Sequence, residues 1–302
     1  MPAFQRKQDR NPMESELLQH CNLCDSSQLM VLDSECNIAQ CRSCGHVFDN
    51  PRPTLQALIN FYSKPGKYDS WLEELGPRER LWKRRLNKLQ TTKKPGSLLD
   101  VGTGIGQFLF LARNSYSEVC GTEVSSTAVE IARQRYGLNL FHGTIDDLPT
   151  QGRTFDNITL FHVLEHVPDP KSMLKTCYSL LSAGGCLVIA VPNEVASLRG
   201  WKRRLFSKFR KPKNGGTLGL PRLTLDGSIS EIHLSHFSPG VLARLLESTG
   251  FSVLVSTLDP YYVRTGWRRL KADFYYYGCL LFRQVFRMNI YDTILMIARK
   301  NP

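Results

Sequence analysis

Short apolar runs and stretches with helical spacing alternate through the middle of the chain. Five apolar runs predict buried strands, at 97–100, 118–124, 138–141, 155–161 and 186–191. Between several of them, apolar positions three and four residues apart predict helices, as in 125–135 and 170–181. Strands that alternate with helices predict an α/β fold with a doubly wound, mostly parallel sheet, whose ligands bind at the carboxyl ends of the strands.

The first strand leads into a turn with three glycines, Gly102, Gly104 and Gly106. Glycine lets the backbone approach a ligand closely, and the helix that begins near Phe108 directs its free N–H groups at the same place. The turn therefore predicts a cradle for a polar ligand. Its spacing is G-x-G-x-G, whereas the dinucleotide fingerprint is G-x-G-x-x-G, so the spacing disfavours NAD. An acid at the end of the second strand, Glu123, can hold the ribose hydroxyls of a nicotinamide or an adenosyl cofactor.

The remaining part of the chain predicts a helix at 240–248, a strand at 251–256 and a terminal strand at 291–298. Two basic, aromatic insertions interrupt this part, at 197–230 and at 260–288. Their basic and aromatic composition, in the later part of the chain, gives the hypothesis of a large, amphipathic or lipid-linked substrate. The second insertion is interpreted as a part of an acceptor pocket or as a second element that lies on a membrane.

The first insertion holds eight basic residues and no acid between residues 199 and 213. In a helix, Trp201, Leu205, Phe206 and Phe209 would share one face. An apolar stripe flanked by basic residues suits a helix that lies on an anionic bilayer. Basic residues also bind nucleic-acid phosphates, but phosphate binding does not need the stripe, so the pattern favours a membrane surface over nucleic acid. A lid that packs its apolar face on the domain is an equal alternative.

Two pairs of cysteines near the N-terminus have the spacing of a zinc site. Cys21 and Cys24 form one C-x2-C pair, Cys41 and Cys44 form the other, and sixteen residues separate the pairs. Four thiolates close a tetrahedral site and leave no position for a substrate, so they predict a structural zinc ion. The predicted organisation is a zinc-ribbon module at 1–50, a helical linker or cover at 51–94, and a larger domain at 95–302.

The composition of the chain indicates the cellular compartment in which the protein works. The chain has 302 residues, 42% of them hydrophobic, and a formal net charge of +12. It shows neither a transmembrane run nor a signal-peptide core, and nine cysteines without a secretion signal indicate a reducing compartment. These features predict a cytoplasmic protein, and the basic insertions add the hypothesis of a peripheral position on the inner membrane face. The oligomeric state stays open.

The glycine turn and two later segments carry a family resemblance. The segment 98–109, LLDVGTGIGQFL, resembles motif I of the class I S-adenosylmethionine-dependent methyltransferases, which have a Rossmann-like fold. The segments 155–170 and 180–193 resemble the fourth-strand motif and the following helix, glycine turn and strand of the same family. With its cysteine module, the chain resembles the methyltransferase type 23 and ubiquinone O-methyltransferase-like group.

The resemblance implies S-adenosylmethionine as cofactor and assigns residues to it. Gly102 and Gly104 would approach the methionine part, Asp100 would face its ammonium group, and Glu123 would hold the ribose hydroxyls. The remaining assigned residues surround the adenine and the sulfonium: Ile145 and Asp146 the former, Phe161 the latter. The sequence departs from the commoner family form at Thr144, where that form has an acid.

Methyl transfer to a hydroxyl group is helped by a general base, for which histidine is the usual choice near neutral pH. His162, Glu165 and His166 follow the fourth strand, and His233 and His236 lie in a later loop. The candidate bases are His162, His233 and His236. The quinone O-methyltransferases have acids and a histidine with a divalent ion at the first cluster. Glu165 and His166 match that pattern and could hold such an ion, whereas His162 replaces an acid.

The sequence therefore predicts a methyltransferase that acts on a small-molecule, sugar or lipid-linked acceptor, with oxygen as the favoured atom. Two alternatives stay open. One is a non-catalytic protein whose zinc ribbon binds nucleic acid and whose cofactor domain is degenerate. The other is an NAD-dependent enzyme. Binding of S-adenosylmethionine that depends on Glu123 or Gly104 would separate the first prediction from both alternatives.

Overall fold

A seven-stranded sheet forms the centre of the protein. The computed structural model describes residues 13–33, 37–89, 94, 96–207, 220, 231–260 and 263–301. Strand order in the central sheet is β12-β13-β10-β9-β6-β7-β8. These strands are β6 (Ser97–Val101), β7 (Glu118–Glu123), β8 (Phe141–His142), β9 (Phe155–Phe161), β10 (Leu181–Pro192), β12 (Phe251–Thr257) and β13 (Thr293–Lys300).

Pairing within this sheet is parallel from β8 to β10, whereas β13 runs antiparallel to both of its neighbours, β10 and β12. The carboxyl ends of β6, β7, β9 and β10 therefore meet at one edge. The prediction of a mostly parallel α/β sheet is confirmed, and this edge is where such folds bind ligands.

Helices cover the sheet. They are α1 (Leu55–Tyr62), α2 (Asp69–Glu73), α3 (Leu75–Leu89), α4 (Gln107–Ala112), α5 (Ser126–Tyr136), α6 (Pro170–Leu180), α7 (Leu198–Ser207), α8 (Pro239–Ser248) and α9 (Gly266–Phe286). Local sequence fixes several starts, because a side-chain oxygen accepts a free N–H of the first turn. Thr54 caps α1, Ser125 caps α5, Asp169 caps α6 and Ser238 caps α8.

A second, four-stranded sheet carries the cysteine pairs and contains a strand from far along the chain. Its order is β11-β4-β3-β2, with β2 (Leu29–Asp33), β3 (Ile38–Cys41), β4 (Val47–Asp49) and β11 (Ser235–His236). A separate two-stranded pair joins β1 (Ser15–Glu16) to β5 (Arg52–Pro53). Ser235 pairs with Phe48 and His236 with Val47. The predicted division at residues 50 and 94 stays a prediction.

The cysteine sheet shares its apolar core with the large domain. Buried Cys21, Cys41 and Phe48 belong to the same cluster as Phe237 and as the strands of the central sheet. Polar contacts cross the same boundary, since Asn22 donates from Nδ2 to the carbonyl of Pro168 at 2.9 Å. The cysteine sheet is therefore packed against the edge of the central sheet that holds its carboxyl ends.

Several boundaries differ from the predicted ones. The third strand, expected at 138–141, is limited to Phe141–His142, because Leu138 and Leu140 pack into the core beside the sheet. The fifth strand begins at Leu181, five residues before its predicted start, and carries a register shift before Cys186. The terminal strand starts at Thr293, two residues later than predicted.

The cover predicted for 51–94 lies over the glycine turn. Trp71 of α2 packs beside Gly104, where a Cβ atom on the glycine would come within 2.9 Å of the indole. Gln107 donates from Nε2 to the carbonyl of Leu75 at 2.9 Å. These contacts place α2 and α3 above the edge at which the strands end.

The two insertions contain α7 and α9. Phe209, Tyr261 and Tyr262, which the sequence places in these insertions, lie outside the described residues, as do 208–219 and 221–230. Among the helices of the described part, none is both long enough and apolar enough to cross a bilayer.

Candidate active site

A cavity of about 650 Å³ lies between the carboxyl edge of the sheet and helices α1 to α3. One end is lined by Gly102, Gly104, Glu123 and Asp146, and is called the donor end below. The opposite end, called the acceptor end, is lined by the group His162, Glu165, His166, Arg199, Glu231, His233 and Asp292. The volume is in the usual range for small-ligand sites.

Glycine is required at two positions of the donor end. Gly102 and Gly104 have φ of 65° and 58°, a backbone conformation that side chains disfavour. A Cβ on Gly102 would come within 2.6 Å of Val163. Without side chains, the turn leaves the backbone of both residues on the cavity wall.

Glu123 closes the other side of the turn. Its carboxylate is buried and accepts the backbone N–H of Gly104 at 2.8 Å and of Ser125 at 2.9 Å. Burial raises the pKa of Glu123 above its usual value. The carboxylate lies at the end of β7 and lines the cavity, which is the position expected for a group that holds ribose hydroxyls.

Ile145 and Asp146 also line the donor end. Asp146 accepts a hydrogen bond from the hydroxyl of Thr176 at 2.5 Å through Oδ1. Thr144, the residue that departs from the family form, donates its hydroxyl to Asp147 at 2.6 Å. In this loop the side chain of Asp147 is therefore directed toward Thr144, and Asp146 is the acid that lines the cavity.

Asp100 does not line the cavity. It lies buried behind the glycine turn and accepts the hydroxyl of Thr159 at 2.6 Å. Burial raises its pKa to about 6, although the hydroxyls of Thr103 and Thr159 act in the opposite direction. Asp100 is thus held by the hydroxyl of Thr159, and its contact with a methionine ammonium group stays a prediction.

Phe161 lies between the donor and acceptor ends and packs against other aromatic rings. Its ring meets that of Phe108 edge-on at 4.9 Å between centroids, and Trp82 lies 5.8 Å away. The guanidinium of Arg85 lies over the Phe161 ring at 4.5 Å and forms a fully buried ion pair with Asp259. Phe161 lines the cavity, and its role beside the reacting methyl group stays a prediction.

The acceptor end begins with a tight turn after β9. His162 has a φ of 58° and donates from Nδ1 to Oε1 of Glu165 at 3.2 Å. Its Nε2 lies 3.7 Å from Asp259. Although burial alone would lower the pKa of His162, the carboxylates of Asp259 and Glu165 raise it.

Glu165 lines this end and has one oxygen without a hydrogen-bond partner among the described residues. Its side chain is buried, and Oε2 has no hydrogen-bond partner among the described residues. A buried carboxylate oxygen without a partner is costly. The arrangement indicates a place for a proton donor or a cation.

His166 is held in one tautomer by its neighbours. Its Nδ1 donates to the carbonyl of Ile232 at 2.5 Å, and the hydroxyl of Tyr62 lies 3.1 Å from the same nitrogen. The hydrogen-bond network thus assigns the lone pair to Nε2, which lies 3.8 Å from Oε1 of Glu165. Burial lowers the pKa of His166, which favours the neutral ring.

His233 faces His166 across the acceptor end, with ring centroids 4.9 Å apart. Its Nδ1 donates to Oε1 of Glu194 at 3.1 Å, and its Nε2 lies 3.8 Å from Glu231. Burial opposes the charged ring, but the carboxylates of Glu194 and Glu231 raise the pKa of His233 well above its usual value.

His236 does not reach the cavity. Its side chain is fully buried and donates from Nδ1 to Glu194 at 2.5 Å and from Nε2 to Asp49 at 3.2 Å. Burial alone would lower its pKa, but these carboxylates raise it to about 9. A ring enclosed by two carboxylates cannot contact an acceptor, so His236 holds other residues in place.

Among the described residues, two groups of side chains have a geometry that fits a metal ion. The sulfur atoms of Cys21, Cys24, Cys41 and Cys44 lie within 4.8 Å of one another. The closest sulfurs are 3.5 and 3.6 Å apart, near the roughly 3.8 Å that tetrahedral zinc imposes at a Zn–S distance of about 2.3 Å. The four cysteines therefore fit zinc.

The second group consists of Glu165, His166 and His233, whose ligand atoms also lie within 4.8 Å of one another. Both histidines donate their Nδ1–H to a fixed oxygen, as metal-bound histidines almost always do. The sequence indicated Glu165 and His166 for a divalent ion, and the fold adds His233.

Some carboxylates that contact the histidines escape the sequence patterns. Glu194 follows the fifth strand, so an acid at the carboxyl end of a strand could have indicated it. Asp49 and Asp259 carry no such signal, because each gains its role only from packing with residues far along the chain.

The chain was compared with known families and proteins. A family model described as a methyltransferase domain matches residues 75–256, more than half of the chain. A "Ubiquinone biosynthesis O-methyltransferase" of Coxiella burnetii is 33% identical over 109 residues, which cover 34% of this chain and 47% of that protein. A "Demethylmenaquinone methyltransferase" of Listeria welshimeri is 26% identical over 141 residues, with coverages of 43% and 58%. The chain thus spans about half the length of these curated relatives.

A solved structure from Thermotoga maritima, described as an S-adenosylmethionine-dependent methyltransferase and a possible histamine N-methyltransferase, has the same fold. Its TM-score is 0.52 at 17% identity, with 81% of this chain and 100% of that chain covered. At this identity the likeness concerns the fold alone.

Proposed function

This chain belongs to the methyltransferase-domain family, and on that premise we propose that it transfers the methyl group of S-adenosylmethionine to an oxygen atom of a small, lipid-linked acceptor. The observation that supports the proposal is the continuity of the cavity. It extends from the glycine turn and Glu123 to Glu165, His166 and His233.

The donor end would hold S-adenosylmethionine, which supplies an electrophilic methyl group when bound. The backbone of Gly102 and Gly104 approaches the methionine part, and Glu123 accepts the ribose hydroxyls. Ile145 packs on the adenine, and Asp146 accepts from its amino group. Phe161 and its neighbouring rings exclude water from the reacting atoms, and holding donor and acceptor in line supplies much of the rate.

The acceptor end would hold a divalent cation on Glu165, His166 and His233. To bind it, His233 must give up at Nε2 the proton that Glu194 and Glu231 favour. Such a cation lowers the pKa of a bound hydroxyl group and so favours the nucleophilic alkoxide or phenolate. Imidazole and carboxylate ligands together suit Zn²⁺ or a similar ion, and Mn²⁺ is a usable probe. A cation held there would also compensate the buried charge of Glu165, which has an oxygen without a hydrogen-bond partner among the described residues.

A general base is needed to take the proton from the hydroxyl group that receives the methyl. His162 and His233 line the cavity and are the proposed candidates, while the enclosed His236 is not. If His233 binds a cation, His162 is the remaining histidine of the predicted set. His162 must then lose the proton that Asp259 and Glu165 favour.

A lipid-linked acceptor is supported by the surface next to the acceptor end. Arg199, at the start of α7, and Asp292, just before β13, both line the cavity. The guanidinium of Arg199 lies 4.4 Å from the Tyr275 ring of α9, so α7 and α9 meet beside the cavity. The names of the two curated relatives refer to quinones, which supports an amphipathic acceptor.

Both helices expose apolar side chains. On α9 the exposed residues recur every three or four positions and form one stripe: Trp267, Leu270, Phe274, Tyr277, Leu281 and Val285. On α7 they are Trp201, Leu205 and Phe206. Arg268 and Lys271 are exposed beside the α9 stripe, whereas the one acid of the helix, Asp273, pairs with Arg84 of α3. This combination suits an anionic bilayer surface.

Methyl transfer is tested with S-adenosylmethionine that carries a labelled methyl group and a cell extract divided into lipid, sugar, protein and RNA fractions. The label should enter the lipid fraction. Calorimetry should show S-adenosylmethionine binding that Glu123→Ala weakens. No binding would overturn the enzyme assignment, and label confined to sugar, protein or RNA would overturn the proposed acceptor.

The membrane surface is tested by sedimentation with vesicles that contain phosphatidylglycerol. The wild type should sediment, less so in high salt, and a Trp267→Ser, Phe274→Ser, Leu281→Ser variant should stay in solution. Val31→Ser with Leu254→Ser is the matched control, because both residues are exposed and apolar but lie elsewhere. Equal sedimentation of all three proteins, or binding of single-stranded RNA without vesicle binding, would overturn this surface.

A further inference from the structure

A row of charged side chains connects the cysteine sheet to the acceptor end. Two of its members, Asp49 and His236, are fully buried, and Glu194 and His233 are partly buried. Asp49 lies at the end of β4 and accepts from Nε2 of His236 at 3.2 Å. The other nitrogen of His236 donates to Glu194 at 2.5 Å, and the second oxygen of Glu194 accepts Nδ1–H of His233 at 3.1 Å. The row is thus continuous from Asp49 to His233.

The backbone repeats the same connection. The N–H of Leu234 donates to the carbonyl of Glu165 at 2.7 Å, and the carbonyl of Leu234 accepts the N–H of Asp49 at 2.9 Å. Ser235 and His236 then pair with β4 as β11. The segment that carries His233 is therefore held between Glu165 on one side and the cysteine sheet on the other.

We propose that Asp49, His236 and Glu194 are positioning residues that fix the ring of His233 for cation binding, so that the cysteine sheet forms a part of the acceptor site. This inference rests on the proposed cation site of Glu165, His166 and His233. It assigns to the cysteines a role at the active site, through β4, in addition to the folding of their own sheet.

The chemistry of the row explains why each member is needed. Glu194 must accept from two histidines at once, which a carboxylate can do with its two oxygens. A glutamine has one acceptor oxygen, so Glu194→Gln leaves either His233 or His236 facing an amide N–H. Without its acceptor, His233 loses the hydrogen bond that directs Nε2 to the cation.

Asp49 fixes His236 from the opposite side. Asp49→Asn keeps an acceptor oxygen for Nε2 of His236, whereas Asp49→Ala removes it. The conservative variant should therefore keep the geometry that the alanine variant loses. If Asp49 only stabilised the fold of β4, the two folded variants would bind the cation with equal affinity.

The test is a titration with Mn²⁺, followed by the electron paramagnetic resonance of the free ion, in full-length protein whose cysteine site is filled with zinc. Mn²⁺ prefers nitrogen and oxygen ligands and leaves the thiolates to zinc. Wild type should bind one Mn²⁺ that Glu165→Gln abolishes. Glu194→Gln should weaken binding by about 10- to 100-fold, Asp49→Ala by less, and Asp49→Asn least.

The matched control is Arg244→Ala. Arg244 donates to the carbonyl of Cys44 at 2.8 Å, so the variant removes a contact between the cysteine sheet and the large domain without touching the row. Its Mn²⁺ affinity should equal that of wild type. Zinc content and S-adenosylmethionine affinity, measured in every variant, should stay constant.

The outcomes separate the inference from the proposed function. If wild type binds one Mn²⁺ and Glu194→Gln and Asp49→Ala bind it equally well, the positioning role is overturned and the cation site stands. If wild type binds no Mn²⁺ beyond the cysteine zinc, both the cation site and the positioning role are overturned. Binding of S-adenosylmethionine in the same samples still tests the methyltransferase assignment independently.

Discussion

The two ends of the cavity are built in different ways. The donor end comes from residues 102–146, which are consecutive turns of one strand–helix succession, and it presents mainly backbone and one buried carboxylate. The acceptor end gathers Glu165 and His233 from separate segments. Glu194 and Asp49 do not line the cavity, but connect His233 through His236 to the cysteine sheet. A ligand shared by many enzymes can be held by a local motif, whereas the acceptor depends on long-range packing.

The largest expected effect separates the two ends directly. Glu165→Gln keeps the shape of the side chain but removes the charge that would hold a cation. Losing several kcal/mol of transition-state stabilisation should lower the rate of methyl transfer by about 100-fold or more. The affinity for S-adenosylmethionine, measured by calorimetry, should not change, because Glu165 lies at the other end.

A wild-type rate in Glu165→Gln would contradict the role of the acceptor end. Equal losses of rate and of S-adenosylmethionine affinity would contradict the separation of the ends. The thermal midpoint of the variant shows whether it is folded.

The next effect concerns pH, since charges hold the acceptor side together. The folded-state pKa of His236 is about 9, above its usual value of 6.5. The stability from its protonated ring is therefore fully present below pH 6.5 and is lost as the pH rises through 9. Over this pH range, deprotonation of His236 lowers the free energy of unfolding by about 3 kcal/mol.

His236→Gln is the comparison variant, because glutamine donates hydrogen bonds but does not titrate. Urea unfolding at pH 6.5, 8 and 9.5 should show a steeper fall of the unfolding free energy in wild type than in this variant. Parallel curves for the two proteins would show that His236 contributes nothing to the pH dependence.

The sequence predicts the donor end better than the acceptor end, because the donor end is built from a local motif. Strand, glycine turn, helix cap and second strand are neighbours in the sequence, so local spacing was enough for Gly102, Gly104 and Glu123 to be placed at one cavity. Asp100 is the exception. It is not among the residues that line the cavity. Its carboxylate is buried against Thr159 of the neighbouring strand, a contact that the local pattern does not predict.

The acceptor end was predicted only in part. His162, Glu165 and His166 follow a strand and were found, and His233 was found as a loop histidine. His236, only three residues later, is instead buried against β4, because β11 joins the cysteine sheet. Pairing between segments almost two hundred residues apart leaves no local pattern in the sequence.

A smaller effect is expected at the donor end. Glu123→Ala removes the carboxylate that would accept the ribose hydroxyls. Hydrogen bonds to charged groups are worth about 1.5–3 kcal/mol, so the affinity for S-adenosylmethionine should fall by about 10- to 100-fold. The rate at saturating S-adenosylmethionine should stay close to that of wild type.

The control is Glu118→Ala, since Glu118 is exposed at the opposite end of the same strand. Equal affinities in both variants would remove Glu123 from the binding site.

The smallest effect concerns the adenine. Asp146 lines the cavity, and the hydroxyl of Thr176 already satisfies its Oδ1, so one carboxylate oxygen remains for the exocyclic amine. Asp146→Ala should weaken binding of S-adenosylhomocysteine by about 2- to 10-fold, the worth of a single ordinary hydrogen bond. Its deaminated analogue, S-inosylhomocysteine, lacks that amine. Wild type should therefore prefer the adenosyl compound, and the Asp146→Ala variant should bind the two compounds equally well.

The control is Asp147→Ala, which should retain the preference for the adenosyl compound, because Asp147 is hydrogen-bonded to Thr144. If Asp147→Ala abolishes it and Asp146→Ala does not, the replacement of an acid by Thr144 has moved the adenine contact one residue along the loop.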